Sequence, residues 1–354
     1  MRFRALTLSL LFLAVPACSP GHESAASSAS SLPPVEAVAQ PTVTQSPAAF
    51  SLASPIACVI GKDCFIQQYM DHDPGKPYAF DYTCGHSVYD GHDGTDIRLP
   101  DKVAQARGVA VLAAADGVVM GMRDGEPDFD VGAFSAAKVD MDKACGNGVV
   151  IANGDGWETQ YCHMRRGSVT VKKGQVVKAG VPLGLVGQSG DAAFVHLHFT
   201  VRHNKKPVDP FSTATNCSGS EATTLWQAGL RDQMAYRGRQ VLNAGFAAAP
   251  VSMDTIEAGG IPAPVPSSPA LVVYVRGINL TEGDIQTLTL YGPNGAVLAS
   301  QELPPLDHDK AQYQMFTGVK LTASRWPAGT YRSVYSVTAG SQTVVRKAFS
   351  LPLS

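Results

Sequence analysis

The chain has 354 residues, which is long enough for two domains with additional tails. Hydrophobic residues make up 45% of it and charged residues 16%, so a packed globular core can form. The formal charge of −2 gives no general attraction to nucleic acid or to an anionic membrane, and we expect no nucleic-acid partner.

Residues 1–18 have the pattern of a signal peptide. Arg2 and Arg4 precede an apolar stretch, residues 5–17, which is too short to span a bilayer. The stretch ends in Val-Pro-Ala-Cys18, which is similar to a bacterial lipobox except for its proline. The alternative is an ordinary secretory signal. We therefore predict export to the periplasm or outer envelope, with membrane attachment only through a lipid on Cys18.

Seven cysteines agree with an exported protein. If Cys18 is acylated, six remain, enough for three disulfides in an oxidising compartment. A cysteine zinc site is the weaker hypothesis because the chain contains no Cys-x-x-Cys pair. The sequence does not determine the connectivity; the pairs that we favour are Cys58–Cys64, Cys145–Cys162 and Cys84–Cys217.

Two segments of different character follow the signal peptide. Residues 19–55 are rich in Ser, Ala, Pro and Val and carry almost no charge, which is typical of a disordered tether. Residues 56–219 form the first predicted domain. Short β-branched runs predict strands there, and Asn153-Gly154-Asp155-Gly156 predicts the turn of a hairpin. We expect a bent antiparallel sheet.

Three motifs in this domain carry side chains suited to metal chemistry. In Gly-His-Asp-Gly-Thr-Asp, His92 and Asp96 stand four residues apart around Gly94, which lets the backbone turn so that both side chains converge. Imidazole nitrogen and carboxylate oxygen together suit zinc. Taken alone, however, the motif also fits an Asp/Gly-rich surface turn.

The other two motifs lie at the end of the hairpin and on a later strand. His163 follows Tyr161-Cys162, and by itself it fits a partly buried structural histidine. His196 and His198 are two apart on a predicted strand, residues 195–201, so both imidazoles project from one face. Such a pair can share a metal, or one can bind it while the other moves a proton.

Beyond residue 219 we predict three further segments. Residues 220–246 form a helical segment, with Leu225, Trp226, Leu230 and Met234 on one face. Residues 247–269 form a Pro- and Ala-rich linker. Residues 270–354 contain about six alternating strands and form a small antiparallel β-sandwich of unknown role.

The ordered set of motifs resembles the lysostaphin-type (beta-lytic) zinc metallopeptidase family, whose fold is a duplicated hybrid motif. That family carries His-x-Gly-x-Asp, Tyr-x-His and His-Leu-His-Phe elements in this order, and the similarity covers about residues 89–210. The resemblance implies that His92, Asp96 and His198 bind one zinc ion. It implies that His163 and His196 form a catalytic pair beside the metal.

The resemblance also implies an activity. We expect a zinc metalloendopeptidase that hydrolyses peptide cross-links or stem peptides of bacterial peptidoglycan. One alternative is a non-catalytic envelope scaffold or regulator of other wall hydrolases. A second alternative is an exported metalloprotease that degrades proteins.

Overall fold

Antiparallel strands make up most of the computed structural model, which describes residues 49–73, 78–133, 139–217 and 224–354. The strands before residue 210 are β1 (Phe65–Gln68), β2 (Thr95–Arg98), β3 (Ala110–Leu112), β4 (Gly117–Arg123), β5 (Asn147–Gly154), β6 (Trp157–Met164), β7 (Val176–Val177), β8 (Pro182–Leu185), β9 (His196–His203) and β10 (Lys206–Pro207). Helix α1 (Lys102–Arg107) follows β2 and begins at Asp101, whose side chain accepts from the amide of Ala104.

One eight-stranded sheet positions the site, and we call it the large sheet. Its strand order is β1-β2-β9-β6-β5-β4-β7, with β10 paired to β9, while β3 and β8 form a separate pair. The hairpin turn predicted from the Gly-rich tetrapeptide is confirmed, because β5 and β6 pair on either side of it. Strand β9 lies between β2 and β6, so it brings the last motif next to the first two.

Alternation along the central strands separates a core face from a polar face. Leu197 and Phe199 on β9 are fully buried, as are Ile97 on β2 and Tyr161 on β6. Their intervening neighbours project from the opposite face, as the period of two requires.

The three favoured disulfides are confirmed: Cys58–Cys64, Cys84–Cys217 and Cys145–Cys162.

The C-terminal part, residues 240–354, is a two-sheet sandwich. Its strands are β11 (Gln240–Ala247), β12 (Ala270–Leu280), β13 (Ile285–Tyr291), β14 (Val297–Glu302), β15 (Lys310–Lys320), β16 (Gly329–Ala339) and β17 (Gln342–Leu353). One sheet has the order β11-β12-β15 and the other β14-β13-β16-β17. Both sheets contribute to one core, in which Val273 of the first packs with Leu288 and Tyr335 of the second. The mostly β fold class predicted from the sequence is therefore confirmed.

The predicted helical segment and linker are corrected by the structure. Among the described residues of this segment, 224–246, helix is confined to a 3₁₀ turn at Ala228–Leu230 and to α2 (Arg231–Met234), and β11 occupies the end of the segment. The reason is tertiary, because β11 pairs along β12 and thereby completes the first sheet of the sandwich. The predicted linker contains α3 (Met253–Ala258), which begins at Ser252, whose side chain accepts from the amide of Thr255.

The predicted tether also ends earlier than we expected. Leu52 is fully buried and its amide donates to the carbonyl oxygen of Leu225. Phe50 stacks on Trp157 with ring centroids 4.3 Å apart. These two apolar side chains add residues 49–55 to the folded part, although the average composition of residues 19–55 hides them. The signal peptide, Cys18 and the rest of the tether lie outside the described residues.

Residues 49–354 form one compact unit, in which β1 and the sandwich share a small apolar cluster of Phe65, Leu242 and Ile278. No helix in the described part of the chain has the length and hydropathy needed to cross a membrane.

Candidate metal centre

His92 stands in the loop before β2, and its backbone contacts fix the direction of its lone pair. Its Nδ1 lies 2.6 Å from the carbonyl oxygen of Tyr69, which can only accept, so Nδ1 carries the proton. The free Nε2 lies 3.2 Å from Oδ1 of Asp96 and 3.2 Å from Nδ1 of His198. The exposed ring of Tyr89 covers this imidazole at a centroid distance of 4.4 Å.

Asp96 and His198 are direct neighbours across the β2–β9 pairing. Oδ1 of Asp96 lies 2.9 Å from Nδ1 of His198. The other nitrogen of His198, Nε2, is 3.0 Å from the hydroxyl of Thr200 and 3.2 Å from Oδ1 of Asp93. Because the carboxylate of Asp93 accepts from Nε2, Nδ1 of His198 is left to face Asp96.

The free atoms of these three side chains converge on one point. One ligand atom each from His92, Asp96 and His198 lies within 4.8 Å of the others, and all three residues are largely buried. Two imidazole nitrogens and one carboxylate oxygen are a donor set that zinc accepts. Each imidazole is also oriented through its second nitrogen, as is usual for metal-binding histidines. The residues present therefore fit a divalent cation such as zinc.

Gly94 has a different role from the one predicted. Its φ does not lie in the left-handed region, so the turn itself does not require glycine. A Cβ at this position would instead stand 2.7 Å from Nε2 of His198 and 2.7 Å from the carbonyl oxygen of Phe199. The imidazole of His198 therefore occupies the space that a side chain at position 94 would fill.

His196 and His163 lie beside the three candidate ligands. His196 projects from the same face of β9 as His198, and its Nε2 is 3.4 Å from Oδ1 of Asp96. Its Nδ1 donates to the carbonyl oxygen of Phe194 over 2.8 Å. The rings of His163 and His196 are 4.6 Å apart, and Nδ1 of His163 donates to the carbonyl oxygen of Ser189 over 2.8 Å. Both imidazoles therefore keep an unprotonated Nε2.

His163 reaches this face only because the backbone turns there. Regular alternation on β6 would place it on the core face together with Tyr161, whereas Cys162 pairs with His198 on the site face. The φ of His163 is 60°, in the left-handed region that few non-glycine residues adopt. Its amide donates to the carbonyl oxygen of Cys145, which stabilises this conformation.

Burial and mutual contacts set the charge states. Burial lowers the pKa of His163 well below its usual range, and it also lowers the pKa of His196. Burial would lower the pKa of His198 as well, but hydrogen bonds to Asp93 and Asp96 raise it to about 9. Burial would raise the pKa of Asp96, yet the imidazoles of His92, His196 and His198 hold it well below its usual range. Near neutral pH the site thus has two carboxylates, Asp93 and Asp96, and two uncharged imidazoles, His163 and His196, around His198.

A cavity of about 240 Å³ opens onto these residues. Its lining includes His163 and His198 together with Tyr89, Gln160 and Arg202. The guanidinium of Arg202 contacts both Asp93 and Glu158 at 3.2 Å. The cavity therefore offers a polar wall to a ligand that approaches the candidate metal position.

The residues proposed from the sequence lie together, whereas several of their partners were not anticipated. Thr200 follows His198 by two positions on the same face of β9, so strand alternation could have identified it. Asp93 stands inside the first motif, but spacing alone does not show that it reaches across to His198. The carbonyl oxygens of Tyr69, Ser189 and Phe194 leave no signal in side-chain patterns.

Comparison with known proteins finds a family model and several similar proteins. Residues 90–210 match the model of the family described as Peptidase family M23. The cell division protein DipM of Caulobacter vibrioides is 35% identical over 125 residues, which are 34% of this chain and 17% of that protein. The peptidoglycan DD-endopeptidase ShyB of Vibrio cholerae is 35% identical over 118 residues, which are 33% of this chain and 22% of that protein. The crystal structure of a zinc containing peptidase from Vibrio cholerae is similar at 27% identity and a TM-score of 0.26, over 40% of this chain and 39% of that one. The chain thus matches about a fifth of the length of the two named relatives.

Proposed function

We propose that this protein, whose residues 90–210 match the model of Peptidase family M23, is a zinc-dependent endopeptidase acting on peptide cross-links or stem peptides of bacterial peptidoglycan. The observation that carries the proposal is the convergence of three free ligand atoms from His92, Asp96 and His198 beside an accessible cavity. A relative named as a peptidoglycan DD-endopeptidase supports the substrate class.

The proposed chemistry divides between the ligands and the two other histidines. His92, Asp96 and His198 would hold one zinc ion. When bound, zinc supplies Lewis acidity, which polarises a scissile carbonyl and makes water reactive near neutral pH. Only three protein ligands are proposed, which is typical of a catalytic rather than a structural zinc site.

His163 and His196 supply the proton-transfer and hydrogen-bonding groups in this proposal. Each is uncharged near neutral pH because burial lowers its pKa, and each keeps Nδ1 occupied by a backbone carbonyl oxygen. Nε2 of either ring can therefore accept a proton from the attacking water. Once protonated, the same nitrogen can donate to the oxyanion that develops on the substrate or to the leaving amine.

Purified protein and isolated peptidoglycan sacculi test this proposal. We expect soluble muropeptides to be released, the activity to disappear with a chelator, and zinc to restore it. His198→Ala should lose both zinc and activity. His203→Ala is the matched control, since His203 lies on the same strand but stacks on Trp157 at 4.3 Å. A fully active His198→Ala variant would contradict the ligand assignment.

The same digests separate the alternative functions. A relative named as a cell division protein keeps an envelope scaffold in consideration. Stoichiometric zinc binding without any muropeptide release would support the scaffold. Cleavage of a glycine-rich protein but not of sacculi would support an exported metalloprotease.

We also propose that the protein is exported and attached through a lipid on Cys18. Three disulfides among the described residues support folding in an oxidising compartment. Metabolic labelling with a fatty acid should mark the protein, and Cys18→Ser should remove the label while leaving export intact. An unlabelled but exported protein would favour an ordinary secretory signal.

A further inference from the structure

Arg98 lies on the site face of the large sheet, immediately beyond the candidate ligands. It follows Asp96 by two positions on β2 and stands directly opposite His196 in the β2–β9 pairing. Its side chain is only 1% exposed. A buried guanidinium in this place needs partners, since an unpaired buried charge is strongly destabilising.

The guanidinium of Arg98 contacts the residue that orients His196. Its central carbon lies 4.3 Å from the ring centroid of Phe194, within the range of a cation–π contact. The ring of Phe194 is 4.6 Å from the imidazole of His196, and the carbonyl oxygen of Phe194 accepts from Nδ1 of that imidazole over 2.8 Å. Phe194 thus lies between Arg98 and His196 and contacts both.

The sandwich holds the other side of Arg98. One nitrogen donates to Oε2 of Glu257 on α3 over 2.6 Å. Another lies 3.0 Å from the side-chain oxygen of Gln312 on β15 and 2.6 Å from that of Gln67 on β1. Two of the three side chains that accept hydrogen bonds from the guanidinium, Glu257 and Gln312, thus belong to the sandwich.

A second arginine ties the same carboxylate to the end of β2. Arg276 on β12 also donates to Oε2 of Glu257, and its second terminal nitrogen donates to the carbonyl oxygen of Pro100 over 2.6 Å. Burial alone would raise the pKa of Glu257, but the two guanidinium groups lower it. One ionised carboxylate thus joins two buried cations, and the cluster fixes both the Arg98 side chain and the backbone two residues beyond it.

We propose that Arg98 is a positioning residue for His196 and that the sandwich controls it through Glu257. This inference rests on the proposed function, since it takes His196 as a member of the catalytic pair. The sandwich is then an integral part of the peptidase unit, because it holds the ring contact against which His196 is oriented. Loss of the contact should affect the reaction more than substrate binding or zinc binding.

The test uses the full chain loaded with zinc and compares Arg98→Lys with Glu257→Gln. A lysine keeps the charge, but it has no planar guanidinium that could stack on Phe194 while donating to both Glu257 and Gln312. We expect kcat on muropeptides to fall about 10-fold in each variant, with KM and zinc stoichiometry unchanged. NMR with ¹⁵N-labelled histidine should show the Nδ1 proton of His196, assigned by its loss in His196→Gln, broadened by faster exchange with water.

Asp284→Asn is the matched control. Asp284 is a carboxylate of the sandwich with 1% exposure, and it is paired with Arg239 at 2.7 Å, so its loss perturbs the same domain without reaching Phe194. It should lower the thermal midpoint but leave kcat and the His196 resonance as in the unchanged protein. If Arg98→Lys fails to fold, Phe194→Leu removes the ring contact and should give the same kcat and NMR changes.

The outcomes separate this inference from the proposed function. Equal effects of Arg98→Lys and Asp284→Asn on every readout would overturn the positioning role. So would an unchanged His196 resonance in both Arg98→Lys and Phe194→Leu. If the unchanged protein releases no muropeptides, the proposed function fails, while the broadened His196 resonance in Arg98→Lys would still support the contact with the sandwich.

Discussion

Replacing Gly94 with alanine tests directly how the metal centre is packed. The added Cβ would stand 2.7 Å from Nε2 of His198, whereas ordinary van der Waals contact begins near 3.4 Å. The Cβ would also stand 2.7 Å from the carbonyl oxygen of Phe199, which is held in the β2–β9 pairing, so the backbone of Gly94 and the His198 imidazole must separate by about 0.7 Å. Metal–ligand distances tolerate changes of only about 0.2 Å.

We expect this displacement to weaken zinc binding about 10- to 100-fold, since it also moves Nε2 of His198 away from Thr200 and Asp93. That change corresponds to about 1.4–2.8 kcal/mol of binding free energy. Competition with a chromophoric chelator measures the affinity, and thermal unfolding without metal reports the fold. Gly121→Ala is the control, because no described atom lies within 4 Å of a Cβ there. A folded Gly94→Ala protein with unchanged zinc affinity would refute the packing account.

Three further predictions concern protonation, the core and a crosslink. Because the pKa of His198 is raised to about 9 without metal, zinc binding at pH 7.5 should release close to one proton from this imidazole, in addition to the proton lost by zinc-bound water. The contribution of His198 should disappear above pH 9, so the total release should fall between pH 7.5 and pH 10. Calorimetry in buffers of different ionisation enthalpy measures the release, and a total that does not fall over this range would contradict the assignment. Leu197→Ala truncates a fully buried side chain on the core face of β9 and should lower the free energy of unfolding by about 2–5 kcal/mol. Denaturant titrations measure this change, and a value near zero would contradict the burial of Leu197. Replacing Cys145 and Cys162 with serine should lower the free energy of unfolding by about 3 kcal/mol, and it should also lower activity, since the carbonyl oxygen of Cys145 accepts from the amide of His163. The same change at Cys58 and Cys64 is the control and should leave activity intact. Equal activity loss in both variants would argue against a local role of the Cys145–Cys162 disulfide.

The strands that were predicted are those whose signals are local. The β5–β6 hairpin follows from its Gly-rich turn, and the common face of His196 and His198 follows from the period of a strand. Strand β11 was predicted as helix, and its pairing with β12 is a contact between distant segments.

The candidate site divides in the same way. The types and order of its side chains are visible in the motifs, and the structure brings His92, Asp96 and His198 within 4.8 Å of one another. The packing role of Gly94 was not visible, because the atom that it accommodates belongs to a residue about a hundred positions later. The zinc ligand and catalytic roles stay predictions until the metal and the activity are measured.

Local chemistry in the sequence determined which groups are available: three donors for a metal, two further histidines, and strands with one apolar face. Tertiary structure alone decided how these groups are directed. It turns His163 away from the core face through a left-handed backbone and places Glu257 of the sandwich against Arg98. It also orients the rings of His92, His163 and His198 with a distant backbone carbonyl or side chain. The physical reason is that side-chain period and turn preference act over a few residues, whereas lone-pair direction depends on hydrogen-bond partners supplied by remote parts of the chain.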